Sequence, residues 1–265
     1  MTLRLGVIGL GAIGGEVIAA AERGELPGIA IPAVLVRRPR PAPAARLVTA
    51  DPDAFFAERF DAVLECAGHQ AVREHGVRAL DAGGDLLVTS AGALTDETLY
   101  NLLLAAAEQG KARLTVPSAG IGALDILAGA AVGGLDAVTV TVRKDPLSWK
   151  GTEAERSHDL DRLGAAVTLY DGPVREGARR YPQNVNISAA AALAGIGLDR
   201  TRLVIIADPG IRTHVVEIAA QGRFGSFSFR EDVIPTESNP KTGRLVAMAV
   251  IKTVKQLASR FVVGG

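Results

Sequence analysis

Gly9-Leu10-Gly11-Ala12-Ile13-Gly14 stands between an apolar run, Leu3 to Ile8, and a segment of helical character that starts at Ala12. Three glycines at this spacing, after a strand and at the head of a helix, restrict the chain more than any other feature. Gly9 permits a tight turn, Gly11 removes a Cβ from the path of a ligand, and Gly14 lets the helix lie close on the strand. An anion set there meets backbone N–H groups at the positive end of a helix. The pattern predicts a βαβ unit whose first turn holds the pyrophosphate of a dinucleotide, with Gly9, Gly11, Ala12, Ile13 and Gly14 as its contacts.

The next hundred residues continue in the same style. Ile31 to Arg37, Ala62 to Glu65, Asp85 to Thr89 and Arg113 to Val116 read as further strands, with helices predicted over Ala12 to Arg23, Gln70 to Ala82 and Asp96 to Gln109. Such alternation belongs to a parallel sheet covered by helices. Thr95 is the expected N-cap of the last of these helices and Gly110 its stop, while Pro39 to Pro43 reads as loop. Beyond Gly120 the runs lengthen and alternate: Leu135 to Lys144, Leu203 to Ala207, Arg212 to Ala219 and Gly222 to Arg230. Helical spacing returns from Arg244 to Arg260.

The expected fold class is therefore α/β: an N-terminal Rossmann-type parallel-sheet domain over residues 1–120, completed by a C-terminal helix within 241–265, and a second α+β domain over 121–240 that carries the catalytic and substrate groups.

Composition narrows the function. Twenty-nine basic residues balance 29 acidic ones, so no general attraction to nucleic acid or an anionic membrane is expected. Every apolar run falls short of a spanning helix, and the start has no export pattern, so a cytoplasmic protein is expected. One cysteine, Cys66, and four histidines argue against a structural metal site. Cys66 has no activating base nearby in sequence and reads as a buried thiol.

At the end of the second strand, where an NAD enzyme normally places an acid against the ribose, this chain has Arg37 and Arg38. A guanidinium suits a 2'-phosphate instead, so competence with NADP as well as NAD is expected. His69 follows the third predicted strand at the carboxyl edge of the sheet, a position beside the nicotinamide or at a helix cap.

Several downstream segments resemble the L-aspartate dehydrogenase family: Glu65-Cys-Ala-Gly-His-Gln70, Val116-Pro-Ser-Ala-Gly-Ile-Gly122, Arg143-Lys144 with Trp149-Lys-Gly-Thr152, Pro182-Gln-Asn-Val-Asn186, His214, and Asn239-Pro-Lys-Thr-Gly243. They run in order along nearly the whole chain. Two departures are visible: Ser118-Ala119-Gly120 where the family more often has Ser-Gly-Ala, and Asp145 where a proline is common.

The resemblance implies oxidative deamination of L-aspartate to iminoaspartate with NAD or NADP, a product that can enter cofactor biosynthesis through quinolinate. It places the catalytic histidine at His214 and further cofactor contacts at Gly120 and Asn186. Histidine suits the proton transfer, because the amine must be neutral before hydride leaves Cα. The substrate's two carboxylates call for donors, and Arg143, Lys144, Asn184 and Lys241 are the candidates. Two rival readings are a dehydrogenase of another small amino or keto acid and a sensor that binds NAD(P)H without turnover. The strand-rich second half also offers a surface for a homodimer.

Overall fold

The computed structural model of the chain describes residues 2–118, 121–182, 185–236 and 243–264. Its described residues divide into two compact units, one of residues 1–119 with 247–265 and the other of residues 120–246.

The first unit runs β1 (Leu3–Ile8), α1 (Ala12–Glu22), β2 (Ile29–Leu35), β3 (Ala45–Thr49), α2 (Pro52–Phe56), β4 (Ala62–Glu65), α3 (His69–Asp81), β5 (Asp85–Val88), α4 (Glu97–Gly110) and β6 (Leu114–Thr115). Its strands form one parallel sheet in the order β3-β2-β1-β4-β5-β6. The chain leaves the centre first toward β3 and then toward β6, so the order reverses between β1 and β4. Ligands of open α/β sheets collect at such a reversal, outside the carboxyl ends of the strands. Register brings the ends together, since Ile8 pairs with both Leu35 and Glu65.

Leu5, Val7, Val34 and Leu64 are fully buried at the centre of this sheet, and Val17 and Ile18 of α1 pack on them. The same cluster takes in Val250 and Val254 from the C-terminal helix Arg244–Ala258. Pro32 lies inside β2 and cannot donate to a ladder. The β1–β2 register slips between Arg4 and Val7, and this irregularity absorbs it.

The head of α4 differs from expectation by one residue. Asp96, not Thr95, is the N-cap and accepts from the Leu99 N–H, whereas the Thr95 hydroxyl closes a preceding 3-10 turn onto the Gly92 carbonyl. The helix stop falls on Lys111 in the left-handed region, φ 53°. Gly110 is needed for a different reason: a Cβ there would collide with the Leu80 carbonyl oxygen of α3.

The second unit contains α5 (Leu124–Gly133), β7 (Leu135–Lys144), α6 (Ala154–Ser157), β8 (Val167–Pro173), α7 (Val174–Arg180), α8 (Asn186–Ala194), β9 (Arg202–Ala207), β10 (His214–Gly222) and β11 (Gly225–Val233). Its sheet has the order β11-β10-β7-β9-β8, with only the β7–β9 pair parallel. Val138, Val140 and Val142 of β7 and Val216, Ile218 and Ala220 of β10 form a buried face on which α5 and α8 pack. The other face carries Thr139, Thr141, Val204 and Ile206, all half-buried. The two-sheet α/β class is the one the sequence predicts. No helix among the described residues is long and apolar enough to cross a membrane.

Candidate functional site

The glycine turn sits at the reversal point. Gly9 takes φ +101°, a conformation that side chains rarely adopt, and a Cβ on it would press into Cys66 and Ala67. At Gly14 a Cβ would collide with the Gly9 carbonyl oxygen and stand 2.8 Å from the Cys66 Sγ. Gly11 is the opposite case: a Cβ there would meet nothing within 4 Å. Ala12 and Ile13 open α1, whose N-terminus no side chain caps and whose first turn holds no acid. Open space over Gly11 and uncapped backbone donors fit the pyrophosphate of a dinucleotide. Gly9 and Gly14 serve the packing beneath it.

Cys66 is the floor of that turn. Its thiol donates toward the Ile8 and Gly9 carbonyls at 3.3 and 3.4 Å, and burial pushes its pKa up. A thiol held this way is a packing group rather than a nucleophile.

Glu65, which ends β4, has a larger structural part than a strand terminus. Its buried carboxylate accepts from the Ala67 and Gly68 N–H groups, both at 2.8 Å, and from the Ser90 N–H and hydroxyl at 3.1 and 2.9 Å. One side chain thereby ties the loop after β4 to the loop after β5. Burial raises its pKa against the pull of those four donors. The available signal was an acid closing an apolar strand. His69 begins α3 directly behind this loop and is half-buried.

Arg37 and Arg38 are exposed beyond the end of β2, level with the glycine turn. Among the described residues neither is in an ion pair.

In the second unit, His214 opens β10 and Lys144 closes β7. The β10–β7 register pairs Val215 with Arg143, so one further step sets His214 beside Lys144 on the buried face. Both are buried, at 5% and 4% exposure. The Lys144 ammonium lies 5.6 Å from the Trp149 ring centroid, which accounts for the Trp149 of the resemblance motif.

Alternation turns Arg143 to the other face, where its guanidinium binds Asp208 at 2.7 Å. The structure therefore does not bring Arg143 together with His214 and Lys144. Asp145 fills its non-family position with two bonds, accepting from the Leu147 N–H at 2.9 Å and from Arg212, two residues before His214, at 2.8 Å. Asn186 is the first residue of α8, half-buried. Gly120, Asn184 and Lys241 lie outside the described residues.

Glu231 lies on β11 one residue beyond Arg230, where the sequence predicts that strand to end. It is 9% exposed and shares a strand parity with Phe227, Phe229 and Val233. Burial lifts its carboxyl up to about 7, although the Gly122 N–H donates to it. An acid on an apolar parity was its signal.

Comparison with known proteins identifies both halves of the chain. Residues 125–257 match the family model described as aspartate dehydrogenase, C-terminal, and residues 9–117 match that described as homoserine dehydrogenase, NAD binding domain. A Pseudomonas aeruginosa protein named L-aspartate dehydrogenase is 39% identical over 265 aligned residues, covering 95% of this chain and 96% of its own. One of the same name from Ralstonia nicotianae is 44% identical over 80% of this chain and 79% of its own. The crystal structure of aspartate dehydrogenase from Thermotoga maritima superposes with a TM-score of 0.78, at 22% identity and complete coverage of both chains.

The two glycines make a paired test of the turn. Gly14→Ala is expected to destabilise the protein by about 1–3 kcal/mol in denaturant unfolding, as overpacking does. Gly11→Ala should stay within about 0.5 kcal/mol of the parent yet weaken dinucleotide binding at least tenfold by titration calorimetry. Equal stability losses in the two variants would contradict this division of labour.

Proposed function

The chain belongs to the L-aspartate dehydrogenase family, and from that premise we propose that it oxidises L-aspartate to iminoaspartate with NAD or NADP as acceptor. The observation that carries the reading is the buried His214–Lys144 pair on one sheet face, in a chain matched over 95% of its length by a relative of that name.

The backbone donors at the head of α1 hold the pyrophosphate, with Gly11 giving it room. When bound, the nicotinamide supplies the acceptor for the hydride from aspartate Cα. Proton handling falls to the second unit. His214 takes a proton from the substrate ammonium, directly or through water, so that the nitrogen lone pair can form the C=N bond as the Cα–H bond breaks. Lys144 supplies positive charge for a substrate carboxylate, its stem held against Trp149. This assignment favours Lys144 over Arg143, whose charge Asp208 already engages. Asn184 and Lys241 remain candidates for the second carboxylate, and His69, Gly120 and Asn186 for the nicotinamide end.

Arg37 and Arg38 support use of NADP. Nothing competes for their guanidinium groups among the described residues, and a 2'-phosphate is a strong partner for them. The lone Cys66 and the absence of any spanning helix among the described residues support a cytoplasmic setting. The half-buried outer face of the second sheet, small and β-branched at Thr139, Thr141, Val204 and Ile206, supports a homodimer that covers it.

Purified protein given L-aspartate and either oxidised cofactor between pH 7 and 10 is expected to gain absorbance at 340 nm, with much lower rates for glutamate, alanine and homoserine. His214→Ala should lose at least about a hundredfold in kcat while its cofactor affinity stays within twofold. No aspartate-dependent signal, or an unaffected His214→Ala, would overturn the reading in favour of another substrate or a non-catalytic nucleotide binder.

The paired change of Arg37 and Arg38 to Ala should raise KM for NADP about tenfold, the equivalent of about 1.4 kcal/mol, and leave that for NAD nearly unchanged. An equal effect on both cofactors would remove the 2'-phosphate assignment. Sedimentation equilibrium should give twice the chain mass of 27.5 kDa, and an Ile206→Glu chain should sediment as a monomer. A wild-type monomer at all concentrations would exclude the dimer.

A further inference from the structure

Glu231 is a buried titratable group that this mechanism does not use. It lies opposite Val216 in the β10–β11 ladder, so alternation sets it on the face that carries His214 and Lys144. His214 is its diagonal neighbour there. Such neighbours stand about 7–8 Å apart at the backbone, within reach of long side chains.

One side of the Glu231 carboxyl receives the Gly122 N–H, but Oε2 is buried with no hydrogen-bond partner among the described residues. Leaving a buried carboxyl oxygen unmet is costly. The strand gains no packing from an acid in a parity otherwise filled by Phe227, Phe229 and Val233.

Few charged groups among the described residues share its face. From β10 the face offers His214, and from β7, two strands away, Lys144. Helix α8 carries no titratable side chain, and Asp125, the only one on α5, is exposed. From the described residues of the turn before α5 comes the Gly122 N–H.

We propose that Glu231 is a positioning residue for His214: as a carboxylate it favours the protonated imidazole and so strengthens the base that takes the substrate's proton. This rests on the reading of His214 as that base. Burial lifts the Glu231 carboxyl up to about 7, so it is neutral in acid and ionised in the mildly alkaline range where an amine most readily loses its proton.

The linkage has a definite sign. A carboxyl whose folded value is raised adds stability below its ordinary value of 4.5 and loses that contribution as pH climbs through about 7.

The test compares wild type with Glu231→Gln, which keeps the shape and an acceptor for Gly122. Imidazole NMR titrations of the ligand-free protein follow four histidines, with His214 identified by the signal that His214→Ala loses. Its midpoint is expected to fall by at least about half a unit in Glu231→Gln, the size of a partly screened charge at this range, and the other three should not move. The acid limb of the kcat–pH profile should move down in parallel, with a plateau about three- to tenfold lower and unchanged KM for cofactor. Thermal melts should show wild type losing ground to the variant between pH 5 and 8. Coincident His214 midpoints, or parallel melting curves across that range, would overturn the proposal. A wild type without aspartate turnover would instead remove the functional reading, while the NMR comparison still decides the coupling.

Discussion

The first unit depends on one close approach. Helix α1 can begin where it does only because residue 14 has no Cβ to strike the Gly9 carbonyl, and because Cys66 closes the space below. Were α1 to stand off, its backbone donors would no longer sit at the point where the sheet order reverses. The proposed anion site is thus a consequence of packing rather than an addition to it. Glu65 extends the same logic to the neighbouring loops, since four donors around one buried carboxylate fix the backbone beyond β4 and β5.

The second unit works by strand parity. Along β7, Val138, Val140 and Val142 are core, and continuing that face to the strand's end delivers Lys144 where another apolar residue would be expected. Along β10 the face of Val216 and Ile218 ends likewise in His214. Because the two strands are antiparallel, the two ends coincide. A one-residue slip in either register would turn its polar residue to the opposite face, so the same pattern that fixes the core also sets His214 beside Lys144.

Much of this was legible in sequence, for a physical reason. Glycines required by a tight turn and apolar runs of a fixed period leave marks that do not depend on distant residues, and the glycine loop, the parallel sheet and both ends of β7 are readable from them, whereas β10, expected over Arg212 to Ala219, runs His214–Gly222. Arg143 was harder. Residue type alone made it equivalent to Lys144, and only parity and Asp208 separate the two. Strand β3 and helix α2 follow a proline-rich stretch and are five residues each, too short for a periodicity to declare itself. Glu231 escaped because the strand was expected to end at Arg230, one residue before its acid.

The buried charges of the second unit argue for chemistry over scaffolding. Lys144, His214 and Glu231 are each less than a tenth exposed, on a face otherwise dominated by apolar and aromatic residues such as Val140, Val142, Leu203, Ile205, Ile218 and Phe229. Buried ionic groups seldom add stability over apolar residues of similar size, and replacing them is often neutral or favourable. A sheet built only to hold the chain together would have continued the apolar pattern to the strand ends. Retaining an imidazole, an ammonium and a carboxyl on one dry face raises the strength of every charge interaction among them, in keeping with the proton transfer and carboxylate binding proposed for His214 and Lys144.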